Sequence, residues 1–456
     1  MRKLLSIFFL VFYMSYGQKK QVLYDFAGLP QTLLLNPGAE VNLQFHAGLP
    51  LMSKLSFQAG FTAFSVYDIF ADDGRNINDK LDEAFDTYGK TEFVAIHQQI
   101  ELLSGGFQLP NKSYLSFGFY QELDVLAKAP KDMVDLYYSG NTTINRNYSV
   151  RKTGVRAELL GVLHLGLSKK INEKWQIGGR AKIYSSVFNA YSKGNKGALY
   201  TEPGTSNIYS QYLDNVNVKL QTSGLIFETI DEDYSSYIKK NLLFGGSLGV
   251  GFDLGFTHHL KDQWIVTGSL QDIGFISNSK DIKSYEIIGD YELEGLELNF
   301  DPKDPSQYWS DLKNEFNESI ELTESDKNYI SFRPVKVNGS IKYSFGEKRF
   351  NDCNYINNTQ SYLNNVGFHL YANLSGVHSY MASTLFYERK LSSNFHGKIT
   401  YTADSFSFTN VGLGLSSQFG IVNLYLLADN LLHLNNIYEA KNASFQIGIN
   451  FMFNNK

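Results

Sequence analysis

The chain is nearly devoid of cysteine: in its 456 residues Cys353, in "NDCNYINN", stands alone. One thiol excludes an intramolecular disulfide framework, and no CxxC partner or ligand spacing surrounds it. It reads as a loop residue. Proline is scarce, at 9 residues, which removes a frequent interruption of long strands. Beyond residue 17 no apolar run of about 18 residues occurs, so no transmembrane helix is encoded. A basic excess is also lacking: 41 Lys and Arg stand against 46 Asp and Glu, a formal charge of -5. That balance argues against general nucleic-acid binding. Enzyme signatures are missing too. No G-x-S-x-G sits on a strand-turn-helix elbow and no H-E-x-x-H is present. "GGSLGVG" near 245–251 has the glycines of a phosphate loop but reads as a strand with small residues on one face. His258-His259 in "FTHHLKDQW" is the one histidine pair, and it reads as a solvated turn without further metal ligands. No cofactor is expected.

Aromatic residues are abundant. There are 30 Tyr and 34 Phe beside 38 Gly, a mixture suited to many long strands and to the aromatic girdles of membrane barrels. Alternation is the leading pattern. "SLGVGFDLGFTHHL" puts Leu248, Val250, Phe252, Leu254 and Phe256 opposite Ser247, Gly249, Gly251, Asp253 and Thr257. "GVRAELLGVLHLGLSKK", "VNGSIKYSFG", "NFHGKITYTAD" and the terminal "ASFQIGINFMF" repeat it. A period of two with one apolar face predicts strands. Similar segments near 42–49, 54–66, 93–103, 113–123, 174–188, 215–228, 263–276, 284–300, 366–374, 379–391, 410–418 and 420–428 bring the total to roughly 14 to 17. Most have the length of a tilted strand crossing a bilayer. Without helices, a chain can cross lipid only as a closed barrel, because every backbone polar group must be paired inside the membrane.

The N-terminus "MRKLLSIFFLVFYMSYGQKK" has a basic start, an apolar stretch over Leu4–Met14, and small Ser15 and Gly17 before Gln18. It predicts a secretory signal peptide over 1–17. Its loss would remove Arg2 and Lys3, leaving 39 bases against 46 acids and a charge of -7. Residues 18–41 are not strand-like, carry no net charge and are expected to form an N-terminal plug or strap, with the barrel over 42–456. Two stretches have helical spacing. Ile77, Leu81, Phe85 and Tyr88 mark one; Trp309, Leu312, Phe316 and Ile320, after Pro305, mark the other. Residues 130–150, 190–212 and the Cys353 region read as long polar loops.

The segments "LPQTLLLNPGAEVNLQFHAGLPLMSKLSF", "FSVYDIF" and "VTGSLQDIGFISNSKDIKSYEIIGDYELEGL" resemble a Bacteroidota family of outer-membrane barrels of unknown function, DUF5723. "LLADNLL" is similar to strands in barrel partners of the type IX secretion system. The resemblance covers most of the chain and implies a single barrel, related in shape to the long-chain fatty-acid channels; it implies no activity. The expected fold is therefore all-β: a transmembrane antiparallel up-and-down barrel of about 14 strands (12–16), with short helices in long loops.

If the apolar face meets lipid, the polar face lines the lumen. The inward candidates are then Arg156, Glu158, His164, Arg180, Lys182, Lys219, Lys336, Lys342, His369, His396 and Lys398. This set is more basic than acidic, which places the acids in loops and helices and suggests either anion preference or cations paired with carboxylates that stiffen the barrel. Three functions follow. The first is a channel or transporter for small or hydrophobic solutes in the outer membrane of a Gram-negative bacterium, with membrane lipid as its surroundings. The second is a non-conducting partner of other outer-membrane or periplasmic proteins, as in a type IX secretion or gliding apparatus. The third, an enzyme, is disfavoured by the missing motifs.

Overall fold

The computed structural model describes residues 21–454 except 142, 206–207, 225–233, 294–318, 348–361, 409 and 433–439. The strands follow in chain order. The first nine are β1 (Leu43–Gly48), β2 (Leu55–Phe61), β3 (Thr91–Gln108), β4 (Tyr114–Pro130), β5 (Asn147–Ser149), β6 (Gly154–Lys170), β7 (Trp175–Ser192), β8 (Lys196–Pro203) and β9 (Tyr209–Ser223). Then come β10 (Ser247–Lys261), β11 (Trp264–Asn278), β12 (Ile282–Leu293), β13 (Ile320–Ser325), β14 (Tyr329–Phe332) and β15 (Val335–Glu347). The last six are β16 (Tyr362–Leu374), β17 (Tyr380–Lys390), β18 (Phe395–Asp404), β19 (Asn410–Phe419), β20 (Val422–Asp429) and β21 (Asn442–Asn454).

The pairings close a ring of 14 antiparallel staves. β1 and β2 together form the first stave, since both pair with β3 and with β21. β3, β4, β6, β7, β10 and β11 follow; β14 and β15 share the eighth; β16 to β21 complete the wall. Each wall strand alternates as its sequence does. In β10, Leu248, Val250, Phe252 and Leu254 are exposed while Ser247, Asp253 and Thr257 are buried. The exposed apolar band is the lipid-facing surface of a transmembrane barrel, in which closure leaves no unpaired edge.

Three expected strand segments do not add staves. The segments at 42–49 and 54–66 share one. Those at 215–228 and 284–300 became β9 and β12, which pair with each other, and with β5, β8 and β13 build a sheet extending beyond one end of the wall. This sheet replaces part of the expected loops: β8 and the start of β9 occupy 190–212, and a helix over Lys131–Ser139 with β5 occupies 130–150. The expected helix near 77–88 is present over Ile77–Asp86, its first turn capped by Asn76 Oδ1 accepting from Asn78 N at 2.9 Å. Trp309, Leu312, Phe316, Cys353 and residues 1–20 lie outside the described residues. Ile320, expected in the second helix, instead opens β13, paired with β12. Its β-branched side chain and the alternation of "IELTES" suit a ladder better than a helix end.

The first stave breaks at Leu49–Met52. Met52 N donates to Leu49 O at 2.9 Å, Pro50 occupies the second position, and Leu51 has φ 66°. This is a type II turn with leucine where glycine is usual. Leu51 and Met52 point outward. The wall stays sealed beside them: Leu49 N donates to Ile449 O (3.1 Å), Ile449 N to Met52 O (2.8 Å) and Glu101 N to Lys54 O (2.9 Å).

Candidate functional site

The lumen is occupied by the chain itself. Residues 21–41 run inside the wall, with a short 3-10 helix over Pro30–Leu34, and none of them joins the sheet. Val22, Leu23, Tyr24, Phe26, Leu29 and Leu35 form an apolar cluster with Tyr425 and Leu427 of β20. Polar side chains of the wall satisfy the segment's carbonyls, as buried polar groups require. Ser269 Oγ donates to Leu35 O at 2.6 Å, Gln271 Nε2 to Leu34 O at 2.8 Å, Thr257 Oγ1 to Gly38 O at 2.8 Å and Gln176 Nε2 to Ala39 O at 2.8 Å. Gln31 and Asn450 exchange two amide bonds, at 2.8 and 2.9 Å. The "NPG" at Asn36–Gly38 lies against wall glycines. A Cβ at Gly178 would come 2.0 Å from Pro37 O, and one at Gly255 would come 2.0 Å from Asn36 Oδ1. Those two positions must be glycine for the segment to fit.

Beside the segment lies an ionic layer. Asp124 meets Arg156 at 2.6 Å, and Arg156 bonds Glu158. Glu158 also bonds Arg333, which reaches Glu122 at 2.7 Å. Lys336 joins Glu122 (3.5 Å) to Asp272 (2.6 Å). Lys182 joins Asp272 (2.6 Å) to Asp253 (2.8 Å), and Asp253 meets Arg180 at 3.1 Å. Glu122 belongs to the third stave and Lys336 to the eighth, so the chain of charges crosses the lumen. Arg180 joins the two layers by donating to Leu33 O, and to Leu34 O at 3.3 Å. A cavity of about 30 Å³ remains between Leu34, Leu35, Glu122, Asp272 and Lys336, room for roughly one water.

All ten inward candidates on barrel strands face the lumen. Arg156, Glu158, Arg180, Lys182 and Lys336 meet in the ionic layer. Lys398 instead donates to Tyr24 O at 2.5 Å, and His369 stacks on the Tyr24 ring at 4.1 Å. His164 is buried, and neither of its ring nitrogens has a hydrogen-bond partner among the described residues. Lys342 and His396 are half-buried, His396 lying 3.8 Å from Glu388. Lys219 is not in the lumen: it belongs to β9 and pairs with Glu286 at 3.1 Å. The expected separation of inward bases from outlying acids is also overturned. Glu122, Asp124, Asp253 and Asp272 are buried beside the cations and balance them.

Parity already sets Asp253 on the polar face of β10, and it could have found two more of them. "ELDVLA" interleaves Glu122 and Asp124 with Leu123 and Val125, which is parity pointing both acids inward. Asp272 escapes parity because it sits in a bulge: with φ 58° it shares with Gln271 the place opposite Asp253. Arg333, beside Pro334, lies in the joint between β14 and β15 and falls outside either alternating run. The histidine pair splits across β10. His258 stacks outward on Trp175 at 3.9 Å, while His259 turns to Glu40 at 2.8 Å.

The family model "Family of unknown function (DUF5723)" matches residues 37–429. The chain belongs to this family. No curated protein matches it by sequence. Among solved structures, it is similar to a Pseudomonas aeruginosa FadL homologue, at 9% identity and TM-score 0.44, over 97% of this chain and 99% of that one. It is similar to the "TodX deltaS2S3 mutant monoaromatic hydrocarbon channel" at 11% identity and TM-score 0.41, over 97% and 96%. The "CymD monoaromatic hydrocarbon channel" follows at 10% identity and TM-score 0.37, over 95% and 94%.

Proposed function

We propose that this protein is an outer-membrane channel for small or hydrophobic solutes, held closed by its own N-terminal segment. One observation carries the reading: residues 21–41 fill the lumen yet lie outside the strand ladder. Side-chain hydrogen bonds and apolar packing hold them, so they can leave without opening the wall. The ionic layer keeps to the side of staves three to eight. On the other side Thr384, Thr400 and Thr402 face inward near Gln21, and the apolar Tyr425 and Leu427 lie under Val22 and Leu23. Displacing the segment would uncover a route there of small polar and apolar side chains beside the buried Glu388, Lys398, Asp404 and Asp429. The charge balance of the ionic layer supports weak ion selectivity rather than the anion preference suggested by the cations alone.

A second reading, a permanently sealed barrel serving as a partner in a membrane assembly, is favoured by the charges that cross the lumen and would remain after the segment left. Planar-bilayer conductance of the full protein and of a variant lacking 21–41 separates the two. Silence in the full protein and steady conductance in the deletion supports the channel; silence in both supports the sealed partner.

A further inference from the structure

On the lipid side of the wall, β10, β11, β15 and β16 enclose an apolar groove of about 850 Å³. Its floor is the directly paired Gly268 and Gly339. The Phe256 ring closes over Gly268, 2.6 Å from where its Cβ would stand, whereas nothing lies within 4 Å of a Cβ at Gly339. Leu270, Ile341, Phe368 and Leu254 form the sides. The wall is thus indented by the depth of a side chain, inside the apolar band.

The groove runs toward the end of the barrel that carries the short turns. There Trp175 stacks on His258 and Trp264 packs on Tyr343 at 5.0 Å. Trp264 pairs with Tyr343 four positions from Gly268, roughly 13 Å along the strand and about 10 Å in depth at the usual tilt. Past this aromatic band the turns expose Lys169, Lys170, Lys174 and Lys261 against Glu173 and Asp262. An apolar slot ending at an aromatic and net cationic ledge complements an amphiphile with an anionic head.

We propose that the groove binds one acyl chain of an anionic phospholipid, whose phosphate rests on the ledge of Lys174 and Lys261. The lipid would be retained as a fixed component of the barrel rather than exchanging with its surroundings.

The test is native mass spectrometry of the full protein in detergent micelles titrated with phosphatidylglycerol. One lipid should survive activation that strips the others. Gly339→Phe, for which the space is open, should lower that retained fraction at least about fivefold, the effect of losing the burial of one or two methylenes. Gly397→Phe, on a distant part of the outer face, should leave it unchanged. Lys174→Gln with Lys261→Gln should shift preference from phosphatidylglycerol toward phosphatidylethanolamine. Heat-dependent gel mobility confirms that each variant is folded. Equal retention by Gly339→Phe and the parent overturns the proposal. So does retention of oleate in place of phosphatidylglycerol, or an equal loss in Gly397→Phe.

Discussion

Arg333 bonds Glu158 and Glu122, lies 3.8 Å from Asp272 and covers the Tyr184 ring at 5.3 Å. Removing it leaves the buried layer with one carboxylate charge in excess, although Arg156, Lys336 and Lys182 stay beside Glu158, Glu122 and Asp272. Arg333→Met should therefore cost about 3–5 kcal/mol in urea unfolding, the usual penalty for breaking one side of a buried pair. Adding Glu158→Gln should recover part of that loss, and strictly additive effects would show that the two side chains are not coupled. A different residue adds to acid sensitivity. His378, in the turn after β16, packs on Phe93 at 4.4 Å; burial, with Lys128 nearby, pushes its imidazole from 6.5 down to about 4. The unfolded chain is protonated there first, so unfolding takes up a proton between these pH values. Stability contributed by this turn is present above pH 6.5 and is lost as pH falls toward about 4. NMR titration of His378 should give a midpoint well below 6.5; an ordinary midpoint would remove the effect. At this scale the inward cations of the wall strands were legible by parity, which also admitted Lys219 of β9, outside the lumen. Asp272 and Arg333 were not, because a bulge and a proline-bounded joint interrupt the count.

Among elements, the turn at Leu49–Met52 holds Leu51 in a conformation that costs an L-residue about 1–2 kcal/mol. Leu51→Gly should be neutral or stabilising, whereas Leu51→Val should destabilise by about 1 kcal/mol or more. The order of unfolding midpoints, glycine at or above leucine and valine below, checks this; valine equal to glycine would contradict it. The wall strands were readable because each side chain faces either lipid or a polar interior, so the period-two pattern persists over long runs. β8, β9, β12 and β13 stand beyond the wall, where neither face meets lipid. Their burial is uneven, and for β8 and the first half of β9 the sequence offered only polarity.

For the whole molecule, the ring of staves is complete without residues 21–41. A deletion variant should keep its strand content by circular dichroism and its heat-dependent gel mobility, while its urea midpoint falls because the Tyr425 and Leu427 patch loses its cover. Loss of the folded gel band would mean instead that the wall depends on its contents. Counting strands came close to the number of staves, although three of the segments counted add none. The filling of the lumen did not, since residues 21–41 lack any periodicity and their partners are scattered over the whole chain.

That scatter also sets an order in time. Gln31 bonds Asn450 across 419 positions, and β1 meets β21 along the seam that closes the ring. Contacts so distant in sequence form late. The segment leads the ring in the chain, while the strand that shuts the ring comes last. Folding must therefore wrap an already gathered N-terminus, or push it in through the short-turn mouth once the seam is shut. A refolding trace with a slow phase that vanishes on deleting 21–41 would point to the second route.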